Sequence, residues 1–224
     1  LLAAKGAKPV VLEGNEKADR EQVVSRIPEG IGYDLIIGNL PEEVMDTLDL
    51  AVLSPGVPTD LPFVIKLQDK KIPVWGEIEL AYACGSGRLA AITGTNGKTT
   101  TTALTGAILR EYYDSVFVVG NIGLPYTEYA LEMKDSSVTV AEVSSFQLET
   151  IHTFQPEVSA ILNITPDHLN RHHTMECYID TKARIAENQT KAQICVLNYE
   201  DEHLQKLAAK IPADIFWFSS KRPL

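Results

Sequence analysis

Ile92-Thr93-Gly94-Thr95-Asn96-Gly97-Lys98-Thr99-Thr100 follows the apolar run Leu89-Ala90-Ala91 and opens a segment of helical period, Lys98 to Leu109. A strand that passes into a helix through a Gly-rich turn ending in Lys and a hydroxyl residue has the layout of a phosphate-binding loop. Gly94 and Gly97 leave room for backbone N–H groups to approach phosphate oxygens. Lys98 reaches toward the outer phosphates, and the Thr99 hydroxyl is placed to meet Mg²⁺. The first glycine of the common G-x-x-x-x-G-K-[ST] pattern would fall at position 92, where this chain has Ile. The reading therefore rests on order and context rather than on the literal pattern.

Outward from that loop, short runs rich in Val and Ile alternate with longer segments of helical period, the pattern of a mainly parallel α/β sheet. On the N-terminal side, strands are expected at Pro9 to Leu12, Asp34 to Ile37, Leu50 to Leu53 and Ile72 to Trp75. Helices are expected at Asp19 to Arg26, Pro41 to Leu48, Pro62 to Lys70 and Glu77 to Ala83. The small, polar stretch Cys84-Gly85-Ser86-Gly87-Arg88 reads as a linker, which divides the chain into residues 1–84 and 85–224. The second series runs through strands at Leu89 to Thr93, Ser115 to Val119, Ser137 to Val143, Val158 to Leu162, Gln193 to Leu197 and Ile215 to Phe218. Its helices are expected at Lys98 to Leu109, Tyr126 to Met133, Met175 to Asn188 and Asp201 to Lys210. The opening Leu1-Leu2-Ala3-Ala4-Lys5-Gly6 reads as the last turn of a helix ended by a left-handed glycine, as though the chain began mid-protein.

Composition narrows the function classes. With 45% hydrophobic and 22% charged residues in 224, the chain is an ordinary globular sequence. Its 20 basic against 30 acidic residues give a net charge of -10, which repels a nucleic-acid backbone. The longest uncharged stretch, Ser115 to Thr127, is too short to cross a bilayer and is broken by Gly and Pro. Cys84, Cys177 and Cys195 are an odd, widely spaced set without C-x-x-C, which points to reduced thiols in a cytoplasmic protein rather than to disulfides or zinc.

Ligands of an open α/β sheet gather outside the carboxyl ends of its strands. Asn121, Glu142, Asp167 and His168 all follow or end expected strands, on the side of the phosphate loop. Glu142 is placed like the acidic residue that holds Mg²⁺ beside such a loop, directly or through water. His172 and His173 fall in a polar loop, and His152 and His203 read as helix-surface residues. Periodicity makes Lys182 a solvated helix lysine.

These residues carry a resemblance. The Ile92–Thr100 stretch resembles the phosphate loop of the Mur ligases, the ATP-dependent amide-forming enzymes of peptidoglycan precursor synthesis, and of their folylpolyglutamate synthetase relatives. Four more segments are similar to the D-glutamate-adding branch of that family: Leu53-Ser54-Pro55-Gly56-Val57-Pro58, Gly120-Asn121-Ile122-Gly123-Leu124-Pro125, Glu142-Val143-Ser144-Ser145-Phe146-Gln147-Leu148-Glu149, and Leu162-Asn163-Ile164-Thr165-Pro166-Asp167-His168-Leu169-Asn170-Arg171.

The resemblance implies a truncated Rossmann-like UDP-substrate-binding domain at 1–84, followed by part of a P-loop ATP-binding domain at 85–224. It implies ATP and Mg²⁺ as cofactors, and UDP-N-acetylmuramoyl-L-alanine and D-glutamate as substrates. ATP phosphorylates the alanyl carboxylate, and the amine of D-glutamate then displaces phosphate. By family pattern Gly94, Thr95, Asn96, Gly97, Lys98, Thr99 and Thr100 hold the nucleotide, and Thr99 and Glu142 share one Mg²⁺. His168 binds a second Mg²⁺ or the substrate region, and Lys182 matches a lysine that the family carbamylates. Asn121, Ser144 and Gln147 become substrate-side contacts, and Glu13 lies near uridine. The family's opening Gly-rich turn and C-terminal domain have no counterpart here, so the chain by itself is expected to be catalytically silent.

Overall fold

A computed structural model describes residues 1–223. Among them the chain forms two compact units, residues 1–51 with 60–74, and residues 52–59 with 75–223.

The smaller unit opens on a 3₁₀ turn, Ala3–Lys5, closed by left-handed Gly6 at φ 83° as its sequence suggests. Strand β1 (Val10–Glu13), helix α1 (Arg20–Val24), strand β2 (Asp34–Ile37) and helix α2 (Glu42–Met45) follow. β1 and β2 pair in parallel, Val10 opposite Asp34. Helix α3 (Pro62–Asp69) completes this unit; strands β3 (Ala51–Leu53) and β4 (Val74–Gly76), which pair with each other, have most of their residues in the larger one. Pro62 starts α3 where its missing N–H costs nothing. Met45, Val64 and Leu67 are buried.

The larger unit takes in helix α4 (Glu77–Cys84), strand β5 (Arg88–Thr93), helix α5 (Lys98–Arg110), strand β6 (Val116–Gly120), helix α6 (Tyr126–Tyr129) and strand β7 (Val138–Glu142). Helix α7 (Ser145–Leu148), strand β8 (Val158–Ile161), helices α8 (Leu169–His172) and α9 (Met175–Ala183), strand β9 (Ile194–Asn198), helix α10 (Glu202–Leu207) and strand β10 (Asp214–Phe218) follow. Its six strands form one parallel sheet in the order β10-β9-β8-β5-β7-β6. β7 is buried along its whole length, and this explains its unbroken Val-Thr-Val-Ala run.

Register sets the site. Ile92 and Gly120 both face Glu142, and Thr93 faces Ile161. The loops after β5, β6, β7 and β8 therefore leave the sheet on one edge. The chain leaves β5 for one side of the sheet and later returns to its other side as β8, so the strand order reverses at β5/β8, where open α/β sheets bind ligands.

The larger unit begins before the expected linker at 84–88, because α4 packs with α6 and α7. The Glu79 carboxylate on α4 accepts the N–H groups of His152, Thr153 and Phe154 and the Thr153 hydroxyl. Helix α6 stops at Tyr129 rather than Met133 and gives way to a tighter turn, Glu132 N–H to Tyr129 O. Helix α9 tightens after Ala183 into a 3₁₀ turn, Arg184–Ala186. Among the described residues no helix is long and apolar enough to cross a membrane.

Candidate active site

The phosphate loop is folded on itself and onto the segment after β8. Gly97, at φ 82°, is the N-cap of α5 and turns the chain into the helix in a left-handed conformation that suits glycine. No side chain caps α5, so the first-turn N–H groups from Lys98 to Thr100 lack an intrahelical partner, an arrangement that suits an anion. Thr95 N–H donates to Asn163 O (2.9 Å), and Asn96 N–H donates to Asn163 Oδ1 (2.8 Å). Thr95 Oγ1 accepts the Thr165 N–H (3.0 Å) and meets the Tyr178 hydroxyl (3.2 Å). Thr95 and Asn96 thus frame the loop through groups already committed. Asn163 and Thr165, quoted above only as part of the Leu162–Arg171 segment, and Tyr178 join the site without an assigned role; the position of Asn163 just beyond the carboxyl end of β8 is the signal for it.

Two ammonium groups converge on one carbonyl. Lys98 Nζ donates to Gly94 O (3.0 Å) and Thr95 O (2.9 Å), while Lys182 Nζ donates to the same Gly94 O (2.9 Å). Lys182 is 1% exposed and lies 4.7 Å over the Tyr178 ring. The solvated lysine expected from periodicity is therefore corrected: Tyr178, Lys182 and Ile185 share the inward face of α9 and its 3₁₀ extension. Burial, reinforced by the positive charge of Lys98 and opposed by Asp167, pushes the Lys182 ammonium down to about 7.

Glu142 ends β7 and is 1% exposed. Its Oε1 accepts from Asn121 Nδ2 (2.8 Å), and its Oε2 has no partner. Asn121 N–H also donates to Glu142 O (2.9 Å). Gly120 makes this approach possible, because a Cβ there would overlap the Glu142 carbonyl. A buried carboxylate oxygen without a donor suits a cation, so the residues present fit Mg²⁺. Among the described residues no three His, Cys, Asp or Glu side chains cluster as a metal centre. Glu142 would need hydroxyl or phosphate oxygens beside it; Thr99, expected to bring a hydroxyl, is exposed in the first turn of α5.

His168 begins α8 in a left-handed conformation, φ 52°. Its ring lies 4.9 Å from that of Phe146, and its Nε2 is 3.5 Å from Asp167. Ser144 caps α7 in a reciprocal box with Gln147. The Gln147 amide is taken up inside the framework: its oxygen accepts from Ser144 N–H and Oγ, and its nitrogen donates to Glu77 Oε2 (3.2 Å). Glu77 Oε1 accepts the Thr127 N–H (2.9 Å), so one carboxylate steadies the segments after β6 and β7. His172, expected in a polar loop, is instead buried, with Nε2 2.9 Å from Ser145 Oγ. Burial lowers its pKa, against the pull of Glu149. Glu13 lies in the smaller unit, where its carboxylate accepts the Asn15 N–H (2.9 Å).

Residues 92–223 match the Mur ligase middle domain. The chain belongs to the Mur ligase family. This Mur ligase chain is 56% identical over 224 residues to the UDP-N-acetylmuramoylalanine--D-glutamate ligase of Lachnoclostridium phytofermentans, covering 100% of the chain and 49% of that protein. It is 56% identical over 222 residues to the same-named enzyme of Lachnospira eligens, covering 99% and 49%. The chain thus spans about half the length of the curated relatives it matches. Two solved structures share the fold. One is the UDP-N-acetylmuramate:L-alanyl-gamma-D-glutamyl-meso-diaminopimelate ligase from Neisseria meningitides, at TM-score 0.62 and 14% identity over 97% of this chain and 72% of that one. The other is the MurF ligase from Thermotoga maritima in complex with ADP, at TM-score 0.57 and 20% identity over 99% and 50%.

Proposed function

We propose that this chain is the central part of a cytoplasmic, ATP-dependent ligase that joins D-glutamate to UDP-N-acetylmuramoyl-L-alanine in peptidoglycan precursor synthesis. The observation that carries the reading is the 56% identity, across the whole chain, with a ligase of that name. The convergence of Lys98, Lys182 and the uncapped α5 terminus on the Gly94 loop supports it. Residues 1–84 would contribute to the UDP-substrate domain, with Glu13 near uridine, and 85–224 to the ATP domain.

Phosphoryl transfer asks the protein for charge neutralisation and in-line positioning more than for a nucleophile. The alanyl carboxylate oxygen attacks the terminal phosphorus of ATP and ADP departs. The amine of D-glutamate then adds to the acyl phosphate, and phosphate leaves as the amide forms. The N–H groups of Lys98 to Thr100 bind phosphate oxygens, and the Lys98 ammonium neutralises charge that grows during transfer. Thr99 and Glu142 would hold Mg²⁺, with His168 and Lys182 nearer a second ion or the substrate. Bound there, the metal supplies Lewis-acid polarisation of phosphate oxygens. Asn121 fixes the Glu142 carboxylate through Oε1 and leaves Oε2 unpartnered, the oxygen that would serve a cation. Asn121 and Ser144 border the acceptor side, where Gln147 holds the turn in shape.

Near neutral pH, Lys182 has an appreciable unprotonated fraction, and a free amine adds carbon dioxide to form a carbamate and release a proton. That product replaces a cation, buried beside Lys98, with an oxygen donor.

Phosphate release by the full-length protein, measured with ATP, UDP-N-acetylmuramoyl-L-alanine and a panel of D- and L-amino acids, tests the reading. Release only with D-glutamate is expected. Equal turnover with L-lysine, or with folate and L-glutamate, would overturn it.

A further inference from the structure

Three segments far apart in the chain meet at one side chain that the mechanism above does not use. Arg171 lies in α8, three residues beyond His168. Its Nε donates to Glu149 Oε1 (3.1 Å), and its Nη2 donates to Glu149 Oε2 (2.5 Å) and to Val57 O (3.0 Å). Its Cζ lies 5.1 Å over the Phe146 ring. The paired side chains of Arg171 and Glu149 are only 15% and 14% exposed, so both charges are largely desolvated and depend on each other.

The contact to Val57 gives the Ser54–Pro58 loop a partner inside the larger unit. This loop follows the carboxyl end of β3, yet residues 52–59 group with the sheet of the larger unit. The seam is tight: the cavity lined by Ser54, Val57, Glu77, Phe146 and Glu149 measures about 10 Å³. Phe146 in turn touches His168. Lys98 and Lys182 bond to the Gly94 loop instead. The guanidinium therefore braces the acceptor side of the site and leaves the phosphate loop to its own contacts. A planar fork makes three such bonds at once, and an ammonium at the same place does not.

We propose that Arg171 is a positioning residue that locks the Ser54–Pro58 loop against Phe146, and so preforms the wall that receives the sugar-nucleotide substrate. This deepens the ligase reading and rests on it.

The test uses Arg171→Lys in the full-length protein. The KM for UDP-N-acetylmuramoyl-L-alanine should rise about tenfold, while the KM for ATP and the kcat stay within about twofold, because binding rather than transition-state contact is lost. In substrate-free protein the amides of Gly56, Val57 and Thr59 should exchange about tenfold faster, with those of residues 98–110 unchanged. Unchanged exchange at Gly56, Val57 and Thr59 overturns the proposal whatever the assay gives, and so does a loss confined to kcat. If the wild-type protein fails to use D-glutamate, the ligase reading falls, and the exchange experiment still decides the role of Arg171 in the loop. If Arg171→Lys does not fold, Glu149→Gln weakens the same pair at constant shape, and its exchange and KM are judged by the same outcomes.

Discussion

The phosphate-loop region and the region around α4 and α7 treat charge in opposite ways. Around Gly94, two ammonium groups share one carbonyl, and Oε2 of Glu142 is buried without a donor. Around α4 and α7, Glu79 accepts four hydrogen bonds, Glu77 binds Thr127 and Gln147, and Glu149 is gripped by Arg171. The second region is framework whose charges are spent on the protein itself. On the proposed reading the first holds charge in reserve for a polyanion and a cation, because buried charge left unpaired is costly unless it has such a use.

Substitutions can break that contrast. Lys98→Ala should lower turnover of the full-length enzyme by about a hundredfold or more, roughly 3 kcal/mol of lost transition-state stabilisation, while its melting temperature stays near wild type. Near-normal turnover would reduce the loop to a Gly-rich turn. Glu79→Ala should do the reverse, destabilising the fold by about 3 kcal/mol because four donors lose their buried acceptor; chemical denaturation measures it. Glu142→Gln keeps the oxygen that meets Asn121 and removes an unpaired buried charge. It should leave stability equal or higher by up to about 1 kcal/mol while reducing turnover, and a clear loss of stability would move Glu142 into the framework class.

A further effect concerns pH. Lys182 titrates at about 7 in the folded protein against 10.5 ordinarily. Between those values the unfolded chain holds a proton that the folded chain lacks, so this group makes stability rise with pH across that window. Below it the group is protonated in both states, and the penalty is complete and constant. In buffer purged of carbon dioxide, Lys182→Met should lose a slope of at most about 1.4 kcal/mol per pH unit, read from denaturation midpoints between pH 7 and 10.

The contrast also divides what the sequence made legible. Strands β5 to β10 follow from their Val- and Ile-rich runs, and the edge rule for open sheets then gathers the phosphate loop, Asn121 and Glu142 on one edge. Ile92, where a first glycine was missing, lies inside β5 opposite Glu142, so that position belongs to the strand rather than to the turn. The framework was harder to read because its partners are distant in sequence: nothing local to Glu79 announces residues 152–154, and nothing local to Arg171 announces Val57. Helices α7 and α8 are only four residues long, too short for periodicity, although Ser144 and Gln147 did carry a capping-box signal. Lys182 was misread because a lysine counts as polar in any pattern, whereas its i, i+4 relation to Tyr178 places it on the packed face.

Phosphoryl transfer to the substrate at this loop is tested most directly by following one oxygen. UDP-N-acetylmuramoyl-L-alanine labelled with heavy oxygen in its alanyl carboxylate is turned over by the full-length enzyme with ATP and D-glutamate, and the released phosphate is weighed by mass spectrometry. An acyl phosphate formed at the Lys98 loop delivers one labelled oxygen to each phosphate. Phosphate free of label, with amide still formed, would contradict the account.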